Sequence, residues 1–254
     1  MSAELITFII PFTPTTFDRQ KIYMWLRDML AITSKKWSYN INVIETDDPF
    51  NNPRQYNKAA AIISAFTKIP IQSDIIVIHD ADVWCGGLPE AISMVSNREY
   101  DMVMPHNHVV RYSLDTTQQI LSGQRPIQLQ QNDISEHKHS RLNHNTGEYT
   151  TKTSIAGCGG IVVINKSILY QYPPDIRFQG WGAEDEAWFT KLSTLCNIHK
   201  CDWPLFHLYH AAQELTTYDA NFALYSRYKE CKHDKEKMTI LNNEAISHIR
   251  LMPS

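Results

Sequence analysis

The chain has 254 residues, 43% hydrophobic and 20% charged, with a formal net charge of -3. Those are the proportions of a soluble globular protein, long enough for a substantial core in one large domain or two small ones. They give no global pull toward nucleic acid or an anionic membrane, and no apolar run approaches the roughly 20 residues of a membrane span.

Leu5 to Ile10 is a continuous apolar run that stops at Pro11, as a buried parallel strand does. Phe17 to Thr33 reads as a helix with Ile22, Leu26, Met29 and Leu30 on one face. A second strand is expected at Ile41 to Ile44, ending in the acidic turn Glu45-Thr46-Asp47-Asp48. Ala59, Ile62, Ile63 and Phe66 mark a second helix after Pro53, and Asp74 to His79 is the most strand-like run of all. A helix from Leu88 to about Ser96 and a strand at Met102 to Met104 follow.

Strands alternating with helices predict an α/β fold with an open, largely parallel sheet, whose ligands bind beyond the carboxyl ends of the strands. The segment Val109 to Thr153 breaks the rhythm: it is polar, with a short helix near Leu114 to Leu121, and a long irregular insertion of this kind in a compact domain is usually functional or disordered. Gly157-Cys158-Gly159-Gly160 then opens another buried strand, Ile161 to Ile164. Beyond His210 the chain reads as helical to its end, so a main domain over 1–215 and a helical extension over 216–254 are expected.

Three places could carry chemistry. Asp80-Ala81-Asp82 follows the third strand directly, so two acids stand at the sheet's carboxyl edge, where hard oxygen ligands suit magnesium or manganese. His207 and His210 offer two imidazoles; in an extended strand positions i and i+3 face opposite ways, so both can serve one metal only if the chain bends. The third is Gly180-Trp181-Gly182-Ala183-Glu184-Asp185-Glu186, followed by Ala187, Trp188, Leu192 and Leu195 at helical spacing. Its acids fall in the first turn of a helix, where the macrodipole favours negative charge, and the indole beside them suits the face of a sugar. Spacing alone does not choose among Glu184, Asp185 and Glu186 for a catalytic role.

Taken in order, Ile9-Ile10-Pro11-Phe12, Tyr56-Asn57-Lys58-Ala59, Asp80-Ala81-Asp82, Gly159-Gly160, the Gly180 to Glu186 block and His210 resemble the beta-1,4-galactosyltransferase family and its bacterial relatives. These are metal-dependent glycosyltransferases of the GT-A fold, and the resemblance spans roughly Leu5 to His210. It implies an inverting hexosyl- or pentosyltransferase that uses a nucleotide sugar, a UDP-sugar in the first instance, with Mn2+ or Mg2+. Pro11, Phe12 and Arg19 would line the nucleotide pocket, with Tyr56, Asn57 and Lys58 packing on the base. Asp80 would lie near the ribose, and Asp82 and His210 would hold the metal. His207 stands where the family places a methionine, and would be a third ligand. Gly159, Gly160 and Trp181 would shape the sugar site, Glu184 would bind sugar hydroxyls, and Asp185 would be the catalytic base.

The chain departs from the family at Gly157-Cys158, where a bulky aromatic pair is usual, so galactose is not the assured donor sugar. Five cysteines, odd in number and without CxxC spacing, fit free thiols in a reducing compartment. With no basic leader before Leu5, the expected location is the cytoplasm of a bacterial or virus-infected cell. The acceptor is then expected to be a capsular or lipid-linked glycan. One alternative is a hydroxylated base in DNA, contacted through Glu136 to Arg141 and the lysines of the last helix; another is a sugar-binding protein without catalysis. No Walker loop, His-Glu-x-x-His or Gly-x-Ser-x-Gly occurs, and no Gly-x-Gly-x-x-Gly follows the first strand.

Overall fold

The computed structural model describes residues 4–13, 16–50, 56–68, 70–124, 127, 140–142, 149–151, 157–180, 182–210 and 218–250. Its strands are β1 (Leu5–Pro11), β2 (Asn40–Thr46), β3 (Ile75–His79), β4 (Val83–Trp84), β5 (Met102–Met104), β6 (His108–Arg111), β7 (Ser140–Leu142), β8 (Tyr149–Thr151), β9 (Ile161–Asn165), β10 (Ile198–Lys200) and β11 (Pro204–His207). The helices are α1 (Phe17–Trp37), α2 (Lys58–Lys68), α3 (Leu88–Ser96), α4 (Leu114–Leu121), α5 (Lys166–Gln171), α6 (Glu184–Leu195), α7 (Tyr218–Glu230) and α8 (Lys235–Ile249).

A six-stranded sheet in the order β10-β5-β9-β3-β1-β2 forms the centre. It is mostly parallel: β1 pairs in parallel with β2 and β3, and β10 with β5, while β9 runs against both β3 and β5. The alternation of side chains explains why β1 and β3 are apolar at nearly every position. Ile6, Phe8, Ile10, Ile75 and Val77 face α1 and α3, whereas Ile9, Ile76 and Ile78 face α2, α5 and α6. Helix α1 starts where Thr16 accepts the Arg19 amide and ends at Ser38 in the left-handed region (φ 58°).

Several elements were not predicted. A second sheet, β4-β11-β6, stands beside the first. Its strand β6 runs into the stretch read as a polar insertion, where the expected helix α4 follows, and Tyr112, Ile120 and Ile127 are buried in the main core. The irregular part of that stretch therefore starts later than Val109, and most of it lies outside the described residues. The C-terminal stretch forms two helices, α7 and α8, with Asp234 accepting the Lys237 amide to start α8. All five cysteines are free, and no helix is long and apolar enough to cross a membrane.

Helices α7 and α8 support α6. Phe178, Ala187, Tyr228, Met238 and Leu241 form one buried cluster. Beside it Asp175 accepts the Tyr228 hydroxyl at 2.7 Å and Arg177 Nη2 at 2.7 Å. Arg177 reaches on to Glu244, which also takes Arg227. The arginine pairing outweighs burial and holds the Asp175 carboxyl below its ordinary value. Tyr228→Phe is expected to destabilise the fold by about 1–2 kcal/mol, the lower part of the range for a hydrogen bond to a charged group, because Arg177 keeps hold of Asp175. A urea midpoint unchanged from wild type would contradict this.

Candidate functional site

The carboxyl ends of β1, β2 and β3 lie at one edge of the main sheet, and antiparallel β9 begins there, with Ile161 opposite His79. Just beyond that edge the acids converge. Lys58, at the start of α2, places its ammonium 2.8 Å from Asp80 Oδ1 and 3.2 Å from Asp185 Oδ1. One cation thus ties the residue after β3 to the first turn of α6. Burial and the two carboxylates act in opposite directions on that ammonium, and the carboxylates win, so it stays charged.

The loop Gly157–Gly160 fills the space between the same two acids. Cys158 donates its amide to the Asp185 carbonyl at 2.9 Å, and Gly160 donates its amide to Asp80 Oδ2 at 2.9 Å. A Cβ on Gly159 would lie 2.8 Å from Asp185 Oδ2. The glycine found by sequence as a pocket former is thus a residue that lets the loop rest on a carboxylate.

Helix α6 begins after Gly180 (φ 69°), Gly182 (φ 119°) and Ala183 (φ 66°). Glycine takes the first two angles at no steric cost, whereas Ala183 holds a left-handed angle that L side chains rarely adopt. Glu184, Asp185 and Glu186 occupy the first turn, as expected from the sequence. Glu184 Oε2 accepts the Gly182 amide at 2.9 Å. Burial and the neighbouring Asp185 push the Glu184 carboxyl up to about 8. Burial also pushes Asp185 up, with Lys58 opposing and Asp80 assisting. Lys58 favours the ionised form of Asp185 over that of Glu184. Trp181 lies outside the described residues.

A second cluster adjoins the first. Asp82, His207 and His210 bring one ligand atom each within 4.8 Å of one another. His210 Nε2 is 2.8 Å from Asp82 Oδ2, and Arg19 Nη2 stands 4.0 Å from the same oxygen. The second sheet creates this convergence: His207 pairs with Val83 across β11 and β4, next to Asp82. The chain then leaves the strand, held by the Leu208 amide on the Asp82 carbonyl at 2.9 Å and the Tyr209 amide on Thr117 Oγ1 at 2.8 Å. That is the bend two histidines three residues apart require. His207, His210 and Arg19 outweigh burial and hold the Asp82 carboxyl well below the carboxylate range. Burial pushes His207 below its ordinary value, with Asp82 opposing, and a metal takes the neutral form of such a ring. One carboxylate and two imidazoles, clustered this closely, fit a first-row divalent transition-metal cation, with positions left for other ligands; Mg2+ prefers oxygen throughout.

The remaining predicted residues sit nearby in different roles. Pro11 ends β1, and Phe12 donates its amide to the Thr46 carbonyl and stacks its ring on Tyr23 with centroids 4.4 Å apart. Asn57 is 2% exposed. Its side chain accepts the Ala60 amide and donates to the Ile176 carbonyl, so it fixes the start of α2 beneath Lys58. Burial pushes the Tyr56 phenol up, and its hydroxyl has no partner among the described residues. Sequence reading passed over His106, whose Nε2 lies 3.1 Å from the Gly159 carbonyl. It follows strand β5 as Asp80 follows β3, and that position was the available signal.

No protein-family model matches the chain, and no curated protein matches it. Solved structures it is similar to include the catalytic domain of Drosophila beta1,4-galactosyltransferase 7 in complex with xylobiose, at 13% identity over 78% of this chain and 65% of that one, TM-score 0.48. A mutant of that Drosophila enzyme with manganese, UDP-Gal and xylobiose matches at 14% identity over 78% of this chain and 65% of that one, TM-score 0.43. A glycosyltransferase involved in glycosylation of the major capsid of PBCV-1 matches at 14% identity over 74% of this chain and 67% of that one, TM-score 0.32.

The close packing at Gly159 generates a direct expectation. In Gly159→Ala the new methyl must displace the Asp185 carboxylate, so a function that depends on this acid should fall by roughly tenfold or more, as misplacement of a reacting group by about 1 Å does. Thermal stability should drop far less than for a core cavity. Full activity in Gly159→Ala would show that the position of Asp185 does not matter.

Proposed function

We propose that the chain is a metal-dependent, inverting glycosyltransferase that moves a hexosyl or pentosyl unit from a UDP-sugar to a hydroxyl of a glycan acceptor. The observation that carries this reading is the adjacency of two clusters at one sheet edge. Asp82, His207 and His210 are arranged to take a divalent cation, and Asp80, Lys58, Asp185 and Glu184 form a connected acid–base group beside them. The order of motifs along the chain supports the same reading.

When bound, a divalent cation would supply Lewis-acid stabilisation to a departing diphosphate. The chain's own residues account for the rest. Arg19 beside Asp82 and Lys58 beside Asp80 bring positive charge to the place where a diphosphate would lie. Asp185 accepts the proton of the acceptor hydroxyl as its oxygen bonds to the anomeric carbon. The bond from that carbon to the diphosphate oxygen breaks on the opposite side, and UDP leaves with the electron pair. Glu184, protonated near neutral pH, donates a hydrogen bond to a hydroxyl of the donor sugar.

A glycan acceptor is favoured over DNA because three of the described cations of the C-terminal helices already have acidic or aromatic partners. Arg227 pairs with Glu244, Lys237 with Asp234, and Lys229 lies over the rings of Phe222 and Tyr225. Residues 136–139 of the Glu136 to Arg141 stretch lie outside the described residues.

With UDP-sugars as donors, Asp185→Asn should lower kcat by roughly two to four orders of magnitude, the usual contribution of a general base, with UDP affinity near wild type. Wild-type turnover in this variant, or a product that keeps the donor's anomeric configuration, would refute the mechanism. The pH profile adds a second reading. Asp185 must be ionised and its value is raised, so the acid limb of kcat/KM should lie above the ordinary 3.8 of an aspartate. Glu184 must keep its proton, so activity should fall as pH rises through about 8. Glu184→Gln should abolish that alkaline limb while retaining turnover; an unchanged limb would remove Glu184 from the donor role.

A further inference from the structure

We propose that His106 is a positioning residue for Asp80, acting by locking the single peptide unit between Gly159 and Gly160. The inference rests on reading Asp80 as part of the nucleotide-sugar site. The two ends of that peptide are gripped from opposite sides. Its carbonyl, on Gly159, accepts from His106 Nε2 at 3.1 Å, and its N–H, on Gly160, donates to Asp80 Oδ2 at 2.9 Å.

A peptide flanked by glycines has little steric resistance to rotation, because neither neighbour carries a Cβ. Gly160 already stands at φ 91°, where other residues are strained. Rotation of this unit would turn the N–H away from Asp80 and aim a carbonyl oxygen at the carboxylate instead. The hydrogen bond to His106 opposes that rotation, so the imidazole acts on the acid through one rigid plane. The neighbouring contacts make the consequence local. Cys158 donates its amide to the Asp185 carbonyl, and Gly159 packs on the Asp185 carboxylate. The loop that His106 pins therefore touches both acids that Lys58 bridges.

The geometry also fixes the ring's chemistry. A carbonyl oxygen only accepts, so His106 Nε2 carries the proton and Nδ1 carries the lone pair. The ring is 0% exposed, and Nδ1 has no partner among the described residues. Burial pushes its pKa down to about 3, so the ring stays neutral wherever the protein is active. From the β3 side, the His79 ring, also 0% exposed, makes the matching contact, Nδ1 lying 2.7 Å from the Asp80 carbonyl. A side-chain amide of glutamine can put an N–H where Nε2 stands, whereas phenylalanine keeps the ring and loses the donor.

The test compares His106→Gln and His106→Phe with wild type. It uses amide exchange at Gly160, calorimetric affinity for UDP with Mn2+, and 15N imidazole shifts of the wild-type ring. In His106→Phe the Gly160 amide should exchange faster and UDP affinity should fall roughly three- to tenfold, with His106→Gln restoring both to within about twofold of wild type. The wild-type ring should show the neutral Nε2–H tautomer across about pH 5 to 8. An Nδ1–H tautomer or an imidazolium in that range overturns the proposal. So does a phenylalanine variant that binds UDP and protects Gly160 as wild type does, or a glutamine variant no better than phenylalanine. Wild-type protein that ignores UDP and Mn2+ would instead refute the nucleotide-sugar reading. The tautomer and the Gly160 exchange would still decide whether His106 locks the peptide.

Discussion

The ammonium of Lys58 is the point on which the arrangement turns. It draws together Asp80, at the end of a core strand, and Asp185, at the start of a helix more than a hundred residues later in the chain. Two half-buried carboxylates this close would repel if both were charged and uncompensated, and one would then hold a proton. With the cation between them, Asp185 can stay ionised in surroundings that otherwise push it toward neutrality. Burial and the nearby Asp185 push the Glu184 carboxyl the other way, toward its neutral form. The same contact orders the loop Gly157–Gly160, because its glycines fit into the gap that the ion-paired acids define.

Such a cluster needs rigid support, since charges brought together out of water hold only where their partners are fixed. Three supports are evident. Asn57 anchors the start of α2, and with it Lys58, to the Ile176 carbonyl and the Ala60 amide. Helix α6 is packed from one side by Trp188 and Leu192 against the sheet and from the other by Tyr228, Met238 and Leu241. Asp175 and Arg177 then join the segment before α6 to α7 and α8. The C-terminal helices, which by sequence looked like an appended extension, thus hold the helix that carries the acids.

Sequence and structure agree where the signal is local. An apolar run ending in Asp80-Ala81-Asp82 can only place those acids at a strand's end, and a block of acids followed by helical periodicity can only place them in a first turn. The reading was weaker where partners are distant. Strands β4 and β11, two and four residues long, are too short to show a period, yet their pairing is what sets His207 beside Asp82. The antiparallel direction of β9 is also invisible in a run of apolar residues, since both directions bury the same side chains. Asn57 and His106 illustrate another limit. The side chain of one fixes a helix start, which its place in a motif does not reveal; the other carries no motif although it holds the glycine loop. Polar residue types mark a site, but which of them face the ligand and which hold its walls depends on packing.

The account stands or falls on a divalent cation and a nucleotide diphosphate sharing the edge formed by Asp82, His207 and His210. Calorimetric titration of UDP into the protein, with Mn2+ and again with a chelator, tests that most directly. Binding in the presence of Mn2+, lost in chelator and lost in Asp82→Ala, is the result expected. UDP binding of equal strength in chelator, or no binding under either condition, would contradict it.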